Sequence, residues 1–131
     1  MRHPKLKESD VDDLLILDKQ LQEDEKMIRA SVGRFVENDV IPKMANAFEK
    51  ATFPQEFIQK SAELGLLGLT LPTEYGGAGA SYVAYGLVCQ ELERGDSGLR
   101  SFVSVQSSLC MYPIFRYGSD KQKERYLPAM A

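Results

Sequence analysis

Two stretches of this chain, residues 75–90 and 101–115, contain no Asp, Glu, Lys or Arg, although the whole sequence is 27% charged. Both stretches read as helices. A helix on the outside of a small bundle carries charge on its solvent face, and one without it is buried all round or covered. A 131-residue chain has room for one core and can bury one such helix completely. Two are hard to bury without more protein, so both are expected to lie against protein or ligand outside this sequence. The alternative is a tight bundle with Ser and Gly on its surface. The ending, Leu127-Pro128-Ala129-Met130-Ala131, has no polar tail and reads like a cut inside a longer protein.

The periodicity is helical almost throughout. Ile28, Val32, Phe35 and Val36 recur on one face after the acidic Glu23, Asp24 and Glu25. Pro42 is expected to kink or end this first helix, with a continuation around Met44 to Phe48. Thr52 and Gln55 have capping-box spacing, which predicts a second helix from about Gln55 to Glu63, ending near Gly65. An extended piece from Leu66 and a glycine-rich loop, Tyr75-Gly76-Gly77-Ala78-Gly79, follow. Ser81 caps a third helix to about Arg94, Gly95 breaks it, and Asp96 caps a fourth that runs to about Met111, before Pro113. Leu99, Phe102, Val103, Gln106, Leu109 and Cys110 form its apolar stripe. Ser119 and Gln122 open a short fifth helix stopped near Pro128. The expected fold class is all-α, a helical bundle of about five helices over residues 13–131 with a tail over 1–12.

Several chemistries are excluded. A net charge of -3 gives no basic field for nucleic acid. The apolar runs Leu64 to Leu71 and Val83 to Cys89 fall far short of the ~20 residues that span a bilayer. The one histidine, His3, sits in the tail, so His-based triads and most zinc sites are out, and no metal site is expected. Cys89 and Cys110 are expected to be reduced core thiols of a cytoplasmic protein. The start shows neither the apolar stretch of a signal peptide nor the acid-poor pattern of a transit peptide. The glycine-rich loop lacks the ending of a phosphate-binding loop and is read as a tight turn.

Arg100 is the notable charge. It stands in the first turn of the fourth helix, beside Ser101, and shares a polar face with Ser104 and with Ser107 or Ser108. A buried guanidinium needs an anion. Glu93 and Asp96 are the internal candidates. A ligand carboxylate is the external one, because Arg grips carboxylates with two parallel hydrogen bonds and a serine one turn on adds a third. Spacing alone favours the internal pair. Glu91 reads as helix-surface charge, and no nucleophile with its base is visible, so no catalytic residue is assigned.

Leu64-Gly65-Leu66-Leu67-Gly68 with Pro72-Thr73-Glu74-Tyr75-Gly76-Gly77 resembles the N-terminal helical domain of acyl-CoA dehydrogenases. Val83-Ala84-Tyr85-Gly86-Leu87, Glu91 through Ser101, and Ser104-Val105-Gln106-Ser107-Ser108-Leu109 resemble the glutaryl-CoA dehydrogenase branch of that family. Tyr117-Gly118-Ser119, Lys121-Gln122 and Tyr126-Leu127-Pro128 also fit, so the likeness covers about Asp13 to the end. It implies a full enzyme with a middle β-domain and a C-terminal α-domain, both outside this chain, that binds FAD and forms a homotetramer. It implies a bacterial cytoplasmic enzyme that oxidises and decarboxylates glutaryl-CoA to crotonyl-CoA and passes electrons to electron-transfer flavoprotein. Through the same likeness, Arg100 and Ser104 hold the substrate's distal carboxylate, Ser101 lines the site, and Glu93 supports the arginine. Leu99 stands where the branch often has Tyr, so the pocket wall is expected to differ there. The family's catalytic base and most of its FAD contacts lie outside this chain, which is expected neither to turn over substrate nor to hold FAD tightly.

Overall fold

The computed structural model describes residues 17–131, so the tail over 1–12 and His3 lie outside the described residues. Five helical rods make up the described part, with no strand among them. After a short 3-10 turn (Leu17–Lys19), the first rod joins α1 (Glu23–Phe35), a wider π turn (Val36–Val40) and α2 (Ile41–Glu49). The second is α3 (Glu56–Glu63) and the third α4 (Tyr82–Gly95). The fourth joins α5 (Ser97–Ser104), a π segment (Val105–Met111) and α6 (Tyr112–Tyr117). The fifth is α7 (Asp120–Met130).

Local chemistry sets most of the ends. The Gln22 amide donates to the Glu25 carboxylate at 2.9 Å, opening α1. The Ser81 hydroxyl accepts from the Ala84 amide at 3.0 Å and Asp96 from the Leu99 amide at 2.7 Å, the two caps expected for α4 and α5. The Ser119 amide donates to the Gln122 side chain at 2.8 Å. The capping box expected at Thr52 and Gln55 does not form. Ala51 turns at φ 49° and the Thr52 amide bonds back to Ala47, so α3 starts from Gln55 in helical geometry without a side-chain cap.

The first rod continues past Pro42, as its expected continuation to Phe48 requires, and the fourth runs on through Pro113, where an end was expected; the fifth ends at Met130, near Pro128 as expected. In the first two, the proline lies two residues beyond a π segment. There the amides of Ile41 and Tyr112 reach back five residues, to the carbonyls of Val36 and Ser107. The widened turn moves the carbonyls that a proline ring would strike in a regular helix.

The same widening corrects the expected stripe of the fourth rod. The buried residues are Leu99, Val103, Ser107 and Met111, every fourth residue, whereas Leu109 is 70% exposed. The first rod buries Val32, Val36 and Val40 with the same step. These faces meet Phe57, Leu66, Val88 and Leu92 in the main core, and edge-on contacts link Phe35 to Phe57 and Phe53 to Phe57. A smaller cluster of Leu71, Met111 and Leu127 closes the other end.

The segment after α3 is a chain of turns rather than an extended piece. The buried Ser107 hydroxyl lies 2.8 Å from the carbonyl oxygens of both Leu67 and Val103 and shares its one proton between them, which ties these turns to the fourth rod. The glycine-rich loop folds back on them as the tight turn expected. A Cβ on Gly77 would sit 2.1 Å from the Leu71 carbonyl oxygen, so only glycine fits there. Gly95 does not break α4 by its backbone. It is the helix's last residue, and a Cβ on it would lie 2.8 Å from Val36 Cγ1. The break comes at Asp96, which is extended at φ -165° and ψ 126°.

Candidate functional site

The Asp96 elbow turns α5 back along α4, and the site lies on the seam between them. Arg100 Nε donates to Glu93 Oε2 at 2.5 Å, and Ser97 Oγ donates to Glu93 Oε1 at 2.5 Å. Arg100 Nη1 points to Ser104 Oγ at 3.4 Å, and Ser104 donates in turn to the Ser101 carbonyl at 3.1 Å. The internal anion is therefore Glu93, while Asp96 is spent on its cap. The Ser97 hydrogen bond, with the Arg100 guanidinium next, lowers the Glu93 pKa. Glu93 in turn raises that of Arg100.

The pair is not sealed. The Arg100 side chain is 34% exposed and that of Glu93 47%, so water screens the ion pair and its contribution to stability is small. Glu93 takes the Nε edge of the guanidinium, and the Nη edge faces the Ser104 row. That geometry leaves a fork suited to a carboxylate.

The sequence-predicted residues do not all meet. Arg100, Ser104 and Glu93 come together. The Ser101 side chain lies round the helix in a separate groove of about 430 Å³, lined by Phe53, Ile58, Gly98, Phe102, Val105 and Gln106. Of the two serines offered for the polar face, Ser108 continues the row and Ser107 is buried on the core side. Tyr85 and Cys89 were missed. They lie on α4 at eight and four residues before Glu93, a spacing that could have placed them on the seam. The Tyr85 hydroxyl meets Ser108 Oγ at 2.9 Å. Burial raises the pKa of both Tyr85 and Cys89. Both cysteines are free and partly buried, rather than core thiols.

The uncharged stretches leave apolar side chains in the open: Tyr82, Val83, Val105, Leu109 and Tyr112 are 40–70% exposed. Among the described residues no group of acidic, His and Cys side chains is placed to hold a metal ion. No helix there is long and apolar enough to cross a membrane.

The family model of the acyl-CoA dehydrogenase N-terminal domain matches residues 22–131. The chain belongs to the acyl-CoA dehydrogenase family. It is 34% identical over 108 residues to the rat mitochondrial short-chain specific acyl-CoA dehydrogenase, covering 82% of this chain and 26% of that protein. It is 32% identical over 112 residues to the isovaleryl-CoA dehydrogenase of Pongo abelii, covering 84% and 26%. A glutaryl-CoA dehydrogenase of Mycobacterium smegmatis, solved in complex with FADH2, superposes with a TM-score of 0.84 at 48% identity, covering 90% of this chain and 30% of that one. This acyl-CoA dehydrogenase domain thus spans about a quarter of the length of the curated relatives it matches.

Proposed function

We propose that this domain belongs to a flavin-dependent glutaryl-CoA dehydrogenase and contributes the wall of the acyl pocket that holds the substrate's distal carboxylate. The observation that carries the reading is Arg100. It is a half-exposed guanidinium whose Nη edge faces a serine row, in a stretch that is otherwise uncharged. The 48% identity to a glutaryl-CoA dehydrogenase supports it. In this reading Arg100 clamps the carboxylate, Ser104 adds a hydrogen bond, and Glu93 holds the guanidinium in place. Ser101 lines the neighbouring wall.

FAD belongs to the proposal for the whole protein, where it accepts the electrons removed from the substrate's α and β carbons. Neither the glycine loop nor the groove beside Ser101 fits its diphosphate. The glycine loop spends the amides of residues 77–80 on the carbonyls of Pro72, Gly68, Leu71 and Leu69. The apolar groove beside Ser101 has no cation. The diphosphate contacts, the catalytic base and the middle β- and C-terminal α-domains are proposed to lie outside this chain. A homotetramer, transfer of electrons to electron-transfer flavoprotein, loss of CO₂ and a bacterial cytoplasmic setting complete the proposal.

A second reading has its own support. The Arg100–Glu93 pair is satisfied internally, and relatives with short-chain and isovaleryl names match at 32–34% identity. In that reading the acyl chain is uncharged and Arg100 only joins two helices. Turnover of glutaryl-CoA and butyryl-CoA by the full-length protein, before and after Arg100→Met, separates the two. The glutaryl reading expects a preference for glutaryl-CoA that the variant loses. A preference for butyryl-CoA, or an equal fall for both, supports the second.

A further inference from the structure

Glu93 has two carboxylate oxygens, and the structure spends them on different residues. Oε2 accepts from Arg100 Nε and Oε1 accepts from the Ser97 hydroxyl, each at 2.5 Å. A carboxylate with both oxygens free grips a guanidinium by two parallel hydrogen bonds. Here one oxygen is taken, so Glu93 holds Arg100 by a single bond at its Nε edge. The Nη edge stays clear of Glu93, and Nη1 points to Ser104 Oγ, 3.4 Å away.

The elbow between the two helices puts Ser97 where it can do this. Glu93 stands in the last turn of α4, and Ser97 is the first residue of α5, directly after the extended Asp96. The Ser97 side chain therefore reaches back across the elbow, while Arg100 comes to the same carboxylate from one turn further along α5. Asp96 does not compete for either residue, because its side chain accepts from the Leu99 amide. Ser97 and Glu93 are both exposed, so water competes with their bond and its effect is one of direction more than of stability. The same bond is the first cause of the lowered Glu93 pKa, as donation to the charged form requires.

We infer that Ser97 is a positioning residue for the acyl pocket: by occupying one oxygen of Glu93, it keeps the Nη edge of Arg100 open for a substrate carboxylate. The inference rests on the reading of Arg100 as a carboxylate clamp. Ser97 acts through Glu93. Without its hydroxyl, Oε1 turns to an Nη hydrogen of Arg100. Glu93 then holds the guanidinium with both oxygens, and a second negative oxygen stands beside the incoming carboxylate, which repels it.

The test uses the full-length parent protein with glutaryl-CoA and butyryl-CoA. Ser97→Ala is expected to lower the glutaryl-to-butyryl ratio of kcat/KM about threefold to tenfold, with the loss in KM for glutaryl-CoA and its kcat within about twofold. Ser97→Thr, which keeps the hydroxyl, holds the ratio within about twofold of the parent. The urea midpoint of Ser97→Ala stays that of the parent, because Asp96 still caps α5. Placed on Glu93→Ala, Ser97→Ala changes the ratio by less than about twofold, because the oxygen it restrains is gone. A ratio within about twofold of the parent in Ser97→Ala overturns the inference, as does an equal fall for both substrates, a fall in kcat alone, or a Ser97→Thr variant as impaired as Ser97→Ala. A urea midpoint that falls with the ratio gives Ser97 a structural role instead. A ratio that Arg100→Met leaves unchanged defeats the clamp reading, whereas a ratio lost in Arg100→Met but kept in Ser97→Ala defeats the positioning role alone.

Discussion

The first and fourth rods use one backbone device in two different settings. Each buries every fourth residue, widens into a π segment, and then takes a proline without ending. The first rod carries charge on its outer face: Arg94 of α4 reaches Glu37 at 3.3 Å, and Lys43 reaches Glu56 at 3.4 Å. The fourth rod has no charge between Arg100 and Arg116 and exposes Val105, Leu109 and Tyr112. Equal backbones with unequal surfaces separate what folding requires from what contact requires. The fourth rod is shaped for its own core on one side and for further contacts on the other.

The largest effect that sharpens this contrast lies on the outer side. Arg100→Met in the full-length protein is expected to cost glutaryl-CoA about 2–5 kcal/mol of transition-state binding relative to butyryl-CoA, on the order of a hundredfold or more in specificity. It should hardly move the urea midpoint, since the ion pair is screened. On the inner side, Leu99→Ala, at a fully buried position, is expected to lose about 2–5 kcal/mol of stability in urea unfolding. Gly95→Ala is expected to lose ~1–3 kcal/mol, because its Cβ presses on Val36 at the π turn of the first rod.

Pro42→Ala and Pro113→Ala test whether the device is the same in both rods. A proline that strained a regular helix would yield ~3 kcal/mol on replacement. Behind a π segment the expected change is under ~1 kcal/mol at both sites, and a gain near 3 at either breaks the parallel.

The smallest effect is a pH dependence at the start of the first rod. Glu25 is buried, accepts from Ser81 at 2.6 Å and from the Gln22 amide, and these bonds hold its pKa below 4.5, the Ser81 bond most. A lowered carboxylate stabilises fully above its unfolded pKa, and that contribution is lost as pH falls through the folded value. Glu25→Gln should therefore flatten the urea midpoint between pH 5 and about 3 compared with the parent chain.

What the sequence disclosed followed the range of each interaction. Ser81, Asp96 and the Ser119–Gln122 pair were legible because a cap is settled within three residues. An internal partner for Arg100 was legible as Glu93 or Asp96, and the elbow decided between them by spending Asp96 on its cap. Pro113 misled because a regular helix would stop there. The clue that it would not was the step of four from Val32 to Val40 and from Leu99 to Met111, which departs from the 3.6 of an α-helix. Thr52 had the spacing of a cap, but the positive φ at Ala51 sent the chain elsewhere. The Tyr85–Ser108 contact escaped because it depends on the opposite helix, which no local window contains.

The Gly76–Gly79 loop has the composition of a linker, yet its backbone is engaged like that of a regular element. The amides of four consecutive residues, 77–80, each find a carbonyl at 2.8–3.2 Å. In deuterated solvent these four protons should persist as long as those of the helices around them, because releasing any one requires the turns from Gly68 to Pro72 to open as well.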